Sequence, residues 1–495
     1  MLFKTKTWIT AVLAAAVCVS ATSCGLIRWN TGDGSVNDGG QTEDTAVAET
    51  NAETEAETNA PINVIEPTAG DKARMRLSEL HSADLSGSSI IIVTVDDTTV
   101  CPISTDGDPV IASAVDSRYA VEEKYSTHII SRKYTSAELF EAAKESYNSD
   151  MYLADLLAVE MGEVGAYHAE GLLANLYSLP HTDFTAGYFN SSSVSAGTFR
   201  DGLYAVVGAA CFNPDYLDCV YFNKALAEAA GAGDLYTLVT DGGWTWDDFA
   251  YLAKNAAASG VAAHGSPTEL SEYIDTAASS MGISYVTNTK GSSPTVDYLD
   301  NSIADRAKGA VDKLASLMYS DEMLTKSKPD AVRGDFNMGN LLFSVDKLYY
   351  SEWIPDSPCE WGILPMPKYD ASDEGYTTPI PGESPVFCAL INTPGYETSG
   401  LILQALNATA YEYTLEAYKD ECIDYRLRDS GSVRMLDIIC DSATADFAHM
   451  YASGYSKLDD ATYGAVFKAV TTRTTLDSAY RQQRGNANNQ LSRSW

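Results

Sequence analysis

Residues Asp201 to Phe249 read DGLYAVVGAACFNPDYLDCVYFNKALAEAAGAGDLYTLVTDGGWTWDDF. Gly202 to Val207 is an apolar, β-prone run opened by a turn, and Asn213-Pro214-Asp215 breaks it. Val220 to Lys224 predicts a short strand running into a helix over Ala225 to Ala230, which Gly231 and Gly233 stop. Asp241-Gly242-Gly243 is a turn. Thr245 then caps a second helix, with Asp248 three residues on in a variant of the capping box. Trp244 and Trp246 flank that cap. They serve either as buried anchors of the helix start or as rings for a ligand to stack on.

Towards the N-terminus the chain alternates. Ser88 to Val95 is a nearly continuous apolar strand ending in Asp96-Asp97, Pro109 to Tyr125 a helix, and Thr127 to Ile130 a second strand. Thr135 to Glu138 is a capping box, Met151 to Val159 a third strand, and Val164 to Leu173 a further helix. This β-α-β-α-β-α order predicts an α/β layer with a mostly parallel sheet. Ligands of such sheets bind beyond the carboxyl ends of the strands. Asp96, Asp97 and Glu160 therefore stand near any cleft, or else serve as turn and cap residues there.

The Asp201-Gly-Leu-Tyr204 run, Leu217 with Tyr221-Phe-Asn-Lys224 and Leu226-Ala-Glu228, and the Trp244 to Phe249 motif together resemble the extracellular solute-binding proteins of ABC importers, family 1, in the carbohydrate branch. Glu360-Trp-Gly-Ile-Leu-Pro-Met-Pro-Lys-Tyr369 is a second mark of that family. Met435 to Ser442 followed by Asp446-Phe447 is a third. The resemblance covers roughly residues 88–480. It implies an α/β, two-lobed periplasmic-binding-protein-like fold with hinge crossovers and a ligand cleft between the lobes. Residues 76–210 would open lobe 1, 211–383 lobe 2, 384–425 would return to lobe 1, and 426–495 would be C-terminal helices, mostly of lobe 2.

The resemblance also implies the site. Asp96, Asp97 and Glu160 would come from the first lobe, Tyr349, Tyr350 and Trp353 from the second, and Glu383 and Ser384 from a crossover. Tyr188 and Trp246 are further candidates. Tyr188 and Phe189 stand where the family often has Trp, and the aromatic residues at 349–353 have packing under their loop as the other reading. A sugar offers hydroxyls to carboxylates and CH faces to rings, and lobe closure dehydrates both. The closed form is what a permease would recognise.

Met1 to Ser23 reads as an export signal, with Lys4 and Lys6 before an apolar run from Trp8 to Val19 that is short for a membrane span. Ala21-Thr-Ser-Cys24 resembles a bacterial lipobox, with Ala21 where Leu is more usual. Lipidation of Cys24 would anchor the protein to the outer face of the cell membrane. Ordinary cleavage leaving a free thiol is the alternative. Residues 24–75 are read as a disordered acidic linker. From Asp33 to Glu66 acids occur without a base, and too few apolar residues are present to offset the entropy of ordering. The folded part is expected to begin near Leu77.

With 495 residues, more than one core is expected. A net charge of -35 argues against nucleic acid or anionic lipid as the main partner. No Cys-x-x-Cys or clustered Cys/His spacing suggests a metal, and the seven cysteines after Cys24 are too odd a number to pair fully. Cys211, Cys388 and Cys440 sit in apolar runs as small core residues. The six histidines are scattered and read as surface or local hydrogen-bonding groups. Gly382-Glu-Ser-Pro-Val386 lacks the closing glycine of a nucleophile elbow, and no Walker loop, dinucleotide loop or His-Glu-x-x-His occurs. The sequence thus asks for no catalysis and no cofactor. It points to a monomer that binds a carbohydrate-class solute and serves ABC permease subunits. A surface glycan hydrolase and a sensor or adhesion module are the alternatives.

Overall fold

The computed structural model describes residues 67–105, 107–319, 329–354 and 357–493. The export segment, Cys24 and most of the acidic linker lie outside the described residues.

Two four-stranded sheets organise the chain. The first contains β1 (Ser89–Thr94), β2 (His128–Lys133), β3 (Leu156–Glu160) and, far along the chain, β8 (Pro385–Cys388), in the order β8-β3-β1-β2. β1, β2 and β3 are parallel and β8 runs antiparallel to β3, with Pro385 opposite Glu160. The second sheet contains β4 (Asp218–Asn223), β5 (Ala262–Gly265), β6 (Leu341–Lys347) and β7 (Trp361–Leu364), in the order β7-β4-β6-β5. β4 is antiparallel to both neighbours, and β5 is parallel to β6. β4 is buried along its whole length, as expected of a strand covered on both faces.

Local chemistry explains the helices that flank the sheets. In α1 (Ala69–Glu79) and α3 (Ser136–Ser149), Thr68 with Asp71 and Thr135 with Glu138 complete capping boxes. α2 (Pro109–Tyr125) starts on Asp108 with proline at its first position. α4 (Trp246–Ala258) starts on the Thr245–Asp248 box, and buries Phe249, Leu252, Ala253 and Ala256 along one face. α5 (Leu270–Ser280), α6 (Ala304–Tyr319) and α7 (Pro329–Asn337) complete this part of the second lobe. The 26-residue α8 (Tyr396–Glu421) packs on α1 and α2 in the first lobe and ends in a π-helical turn, Cys422–Arg426. α9 (Ser430–Asp441), α10 (Tyr463–Thr472) and α11 (Leu476–Arg493) return to the second lobe, where α9 packs on β7 and α10 on α5 and α6.

The chain passes between the lobes before β4, between β7 and β8, and after α8. Two expectations change. The described fold already includes α1, which starts upstream of Leu77. Ala73 and Leu77 are buried under α8, and Lys72 pairs with Glu416 at 3.3 Å. The polar C-terminal segment is helical through Arg493, as the expected C-terminal helices require. Leu476, Tyr480, Ala487 and Leu491 form a buried stripe at helical spacing. The histidines are not all superficial, since His168 and His264 are buried. All seven cysteines from Cys101 onward are free, and all but Cys359 are buried.

Several glycines are packed so closely that no larger side chain fits, Gly400 among them. A Cβ on Gly400 in α8 would stand 1.9 Å from the Pro180 carbonyl oxygen. Gly400→Ala is therefore expected to cost about 1–3 kcal/mol through overpacking, read as a lower urea midpoint with unchanged slope. An unchanged midpoint would mean that the Pro180 loop yields freely.

Candidate functional site

The carboxyl ends of β1 and β3 face the second lobe, and the segment before β8 is laid across them. The Met161 N–H donates to Ser384 O at 2.9 Å and the Gly162 N–H to Gly382 O at 2.8 Å. These bonds hold Glu383 at the rim of the first sheet. From the second lobe Lys347, the last residue of β6, reaches the same point. Its Nζ lies 2.8 Å from Glu383, 3.3 Å from Glu272 and 3.9 Å from Asp218, and donates to Tyr216 O at 3.4 Å. The Tyr216 hydroxyl in turn donates to Asp96 Oδ2 at 3.1 Å. One connected polar cluster thus draws on both lobes and two crossovers.

The spacing on α5 supplies the far wall. Glu272, Asp275 and Thr276 lie three and four residues apart, so they share a face. Thr276 donates to Asp218 at 2.9 Å, and Asp275 lies 2.6 Å from His449 Nε2. His449 stacks on Tyr463 with ring centroids 4.0 Å apart, and its Nδ1 is 3.9 Å from Asp446. A partly open cavity of about 80 Å³ lies here, lined by Glu272, Asp275, Thr276, Gly382, Glu383 and His449 among others.

Burial and pairing set the charges. Burial pushes the Asp218 carboxyl up to about 6, against the pull of Lys347 and the Thr276 hydrogen bond. Burial pulls the Lys347 ammonium down, but Asp218 and Glu383 outweigh it and hold it above the lysine range. Burial also raises Asp96, yet hydrogen bonds from Thr98 and Thr99 keep it below its ordinary value. His449 loses protons more readily through burial, but Asp275 outweighs this and raises it. Among the described residues no group of three His, Cys, Asp or Glu is arranged to hold a metal ion.

Of the ten residues read from the sequence as ligand contacts, Asp96 and Glu383 enter this cluster. Glu160 ends β3 beside it and accepts from Ser136 at 2.6 Å, and Ser384 is buried at the crossover. Asp97 turns away to pair with Lys133 at 2.7 Å. Tyr188, Trp246 and Tyr350 stand outside this cluster: all three are buried, with polar tips bonded to Gln404, Ser280 and the Arg333 carbonyl. Tyr349 is half-buried and accepts from Arg333, which also grips the fully buried Asp346 through two hydrogen bonds. Trp353 is 71% exposed, beside Glu352.

Tyr216, Asp218, Glu272, Asp275, Lys347 and His449 were not singled out from the sequence. The helical spacing of Glu272, Asp275 and Thr276 was the one local signal available. Lys347 and Asp218 sit at the ends of apolar strands with nothing local to distinguish them.

No protein-family model matches the chain, and no curated protein matches it in sequence. Among solved structures it is similar to a family 1 extracellular solute-binding protein from Bifidobacterium longum subsp. infantis. The TM-score is 0.54 at 12% identity, over 81% of this chain and 98% of that one. It is also similar to the GacH receptor of Streptomyces glaucescens GLA.O, whose structures are unliganded and in complex with acarbose and an acarbose homolog. There the TM-score is 0.49 at 12% identity, over 82% and 99% of the two chains. The first likeness shows the fold, an α/β solute-binding-protein architecture with a mixed sheet in each of two lobes. Among the described residues no helix is long and apolar enough to cross a membrane.

Proposed function

We propose that this chain is a solute-binding protein that captures a carbohydrate between its lobes and delivers it to an ABC importer, held to the outer face of the membrane through a lipid on Cys24. The observation that carries the reading is the cluster of Asp96, Tyr216, Lys347, Glu383, Glu272 and Asp218. It is assembled from both lobes where the crossovers meet. A change in lobe orientation must remake the Lys347–Glu383 and Tyr216–Asp96 contacts, so a solute bridging these groups would bias the lobes. Carboxylates here accept from sugar hydroxyls, and the Lys347 ammonium donates. Leaving any of them unpaired on closure is costly, which gives selectivity. The solute-binding fold of the Bifidobacterium protein supports the same reading.

A thermal-shift screen against mono- and oligosaccharides tests it. A ligand present at 100 times its Kd and bound only to the folded state adds about 2.7 kcal/mol, an easily visible shift. A shift with one sugar class is the expected result, and no shift with any saccharide would sink the carbohydrate reading.

A further inference from the structure

The acid-lined cavity of about 80 Å³ is well short of the roughly 300 Å³ at which small-molecule sites begin. A neighbouring recess of about 570 Å³ is within that range. Ser192 and Ser195 line it from the first lobe. Asn288 and Asn301 line it from the second, and Asp446 joins from the segment that returns between them. The two cavities meet at one turn, since Asp446 lines the recess while His449, 3.9 Å from it, lines the smaller space.

The walls of the recess are hydroxyls, amides and one carboxylate, with Val286, Ile303 and Phe447 as apolar patches. No lysine, arginine or histidine lines it. Asn288 ties the lobes by donating from Nδ2 to the carbonyls of Ser195 at 2.9 Å and Thr198 at 2.5 Å. Its Oδ1 is buried without a donor. An anionic group would meet Asp446 here, and no lysine or arginine lines the recess to offset it; Glu272 and Glu383 just beyond are already paired with Lys347, and Asp275 with His449.

We propose that this recess seats the body of the solute, and that it takes a neutral, hydroxyl-rich saccharide rather than an acidic one. The inference rests on the carbohydrate reading above and goes beyond it by naming the seat and the charge class. The small acidic cavity then serves one end of the ligand, and the recess serves the remaining ring or rings.

The test uses the full chain and titration calorimetry with neutral oligosaccharides, alongside Ser195→Trp and Ser302→Trp. Both serines are exposed lining residues on opposite lobes, so an indole fills the recess without entering a core. The unliganded variants are expected to melt with the parent and to bind a neutral oligosaccharide at least about ten-fold more weakly. Parent-like affinity in both variants overturns the recess and leaves saccharide binding standing. A uronate-bearing oligosaccharide of the same length is expected to bind the parent at least about ten-fold more weakly than the neutral one, and equal affinity overturns the charge class. No heat with any saccharide in the parent overturns this inference and the carbohydrate reading together.

Discussion

Arg426→Ala is expected to lower the stability of the folded chain by about 3–5 kcal/mol, the range found when one partner of a buried ion pair is removed. Arg426 stands in the π-helical turn after α8, with its side chain 4% exposed. Its guanidinium lies 2.7 Å from Asp215, 2.7 Å from Glu352 and 2.8 Å from Glu421. Tyr418 also donates to Asp215 at 2.7 Å. Asp215 belongs to the crossover before β4, Glu421 to the end of α8, and Glu352 to the second lobe, so one cation holds together three segments at the hinge. Truncation leaves three carboxylates facing one another without it. Lysine should rescue only in part, because a single ammonium cannot serve three carboxylates as a planar fork does. Glu352→Gln is the contrast. Glu352 is 44% exposed, and the change should cost no more than about 1 kcal/mol. Urea unfolding of the three variants is the measurement. Arg426→Ala within about 1 kcal/mol of the parent would show that the carboxylates find other partners or take up protons.

The second large effect is on pH. Asp218 titrates at about 6 in the folded chain, above its ordinary value of 3.8. The folded state therefore holds this proton more tightly than the unfolded one. The stability this contributes is complete below about pH 4 and is lost as pH rises through about 6. Its loss amounts to something on the order of 3 kcal/mol. His449 is also raised, so its contribution is complete below about pH 6.5 and is lost above that, in the same direction. Asp96, Asp373 and Asp429 are lowered, and their contributions are lost only as pH falls below the ordinary carboxylate range. Buried His168 and His264, lowered to about 4 and about 3, act the other way, and the stability they contribute grows as pH rises towards 6.5. The test is therefore a difference: Asp218→Asn should remove a loss of stability that the parent undergoes between about pH 4 and pH 7 at constant ionic strength, and parallel pH profiles of the two would contradict the assignment. Since Asp218 and His449 both border the cleft, ligand affinity should follow pH as well.

Much of the architecture could be read locally. The capping boxes at Thr135 and Thr245, proline at the head of α2, and the apolar runs of β1 and β4 each act within a few residues, and these elements form close to where the pattern places them, whereas β3 starts at Leu156, five residues after the expected Met151. The stripe of Leu476, Tyr480, Ala487 and Leu491 was equally available. It was obscured by the polar residues between its members, which lie on the outer face of α11. The site was harder to read. Trp246 and Tyr188 have the side chains of sugar-stacking residues, and nothing in their neighbourhood along the chain says that Ser280 of α5 and Gln404 of α8 would take up their polar tips.

By itself the sequence determined the α/β alternation and the acidic residues at the ends of β1 and β3, because backbone propensity and hydrophobic period are short-range properties; the two-lobed class came with the family resemblance. Only the tertiary structure decided that Asp218, Glu272, Lys347 and Glu383 form one cluster and that Tyr350 belongs to the core. Those four charges span 165 positions of sequence and meet because β4 pairs with β6 while β8 returns to β3. Sheet register sets such meetings through the burial of whole faces, a sum over distant residues that no local window contains.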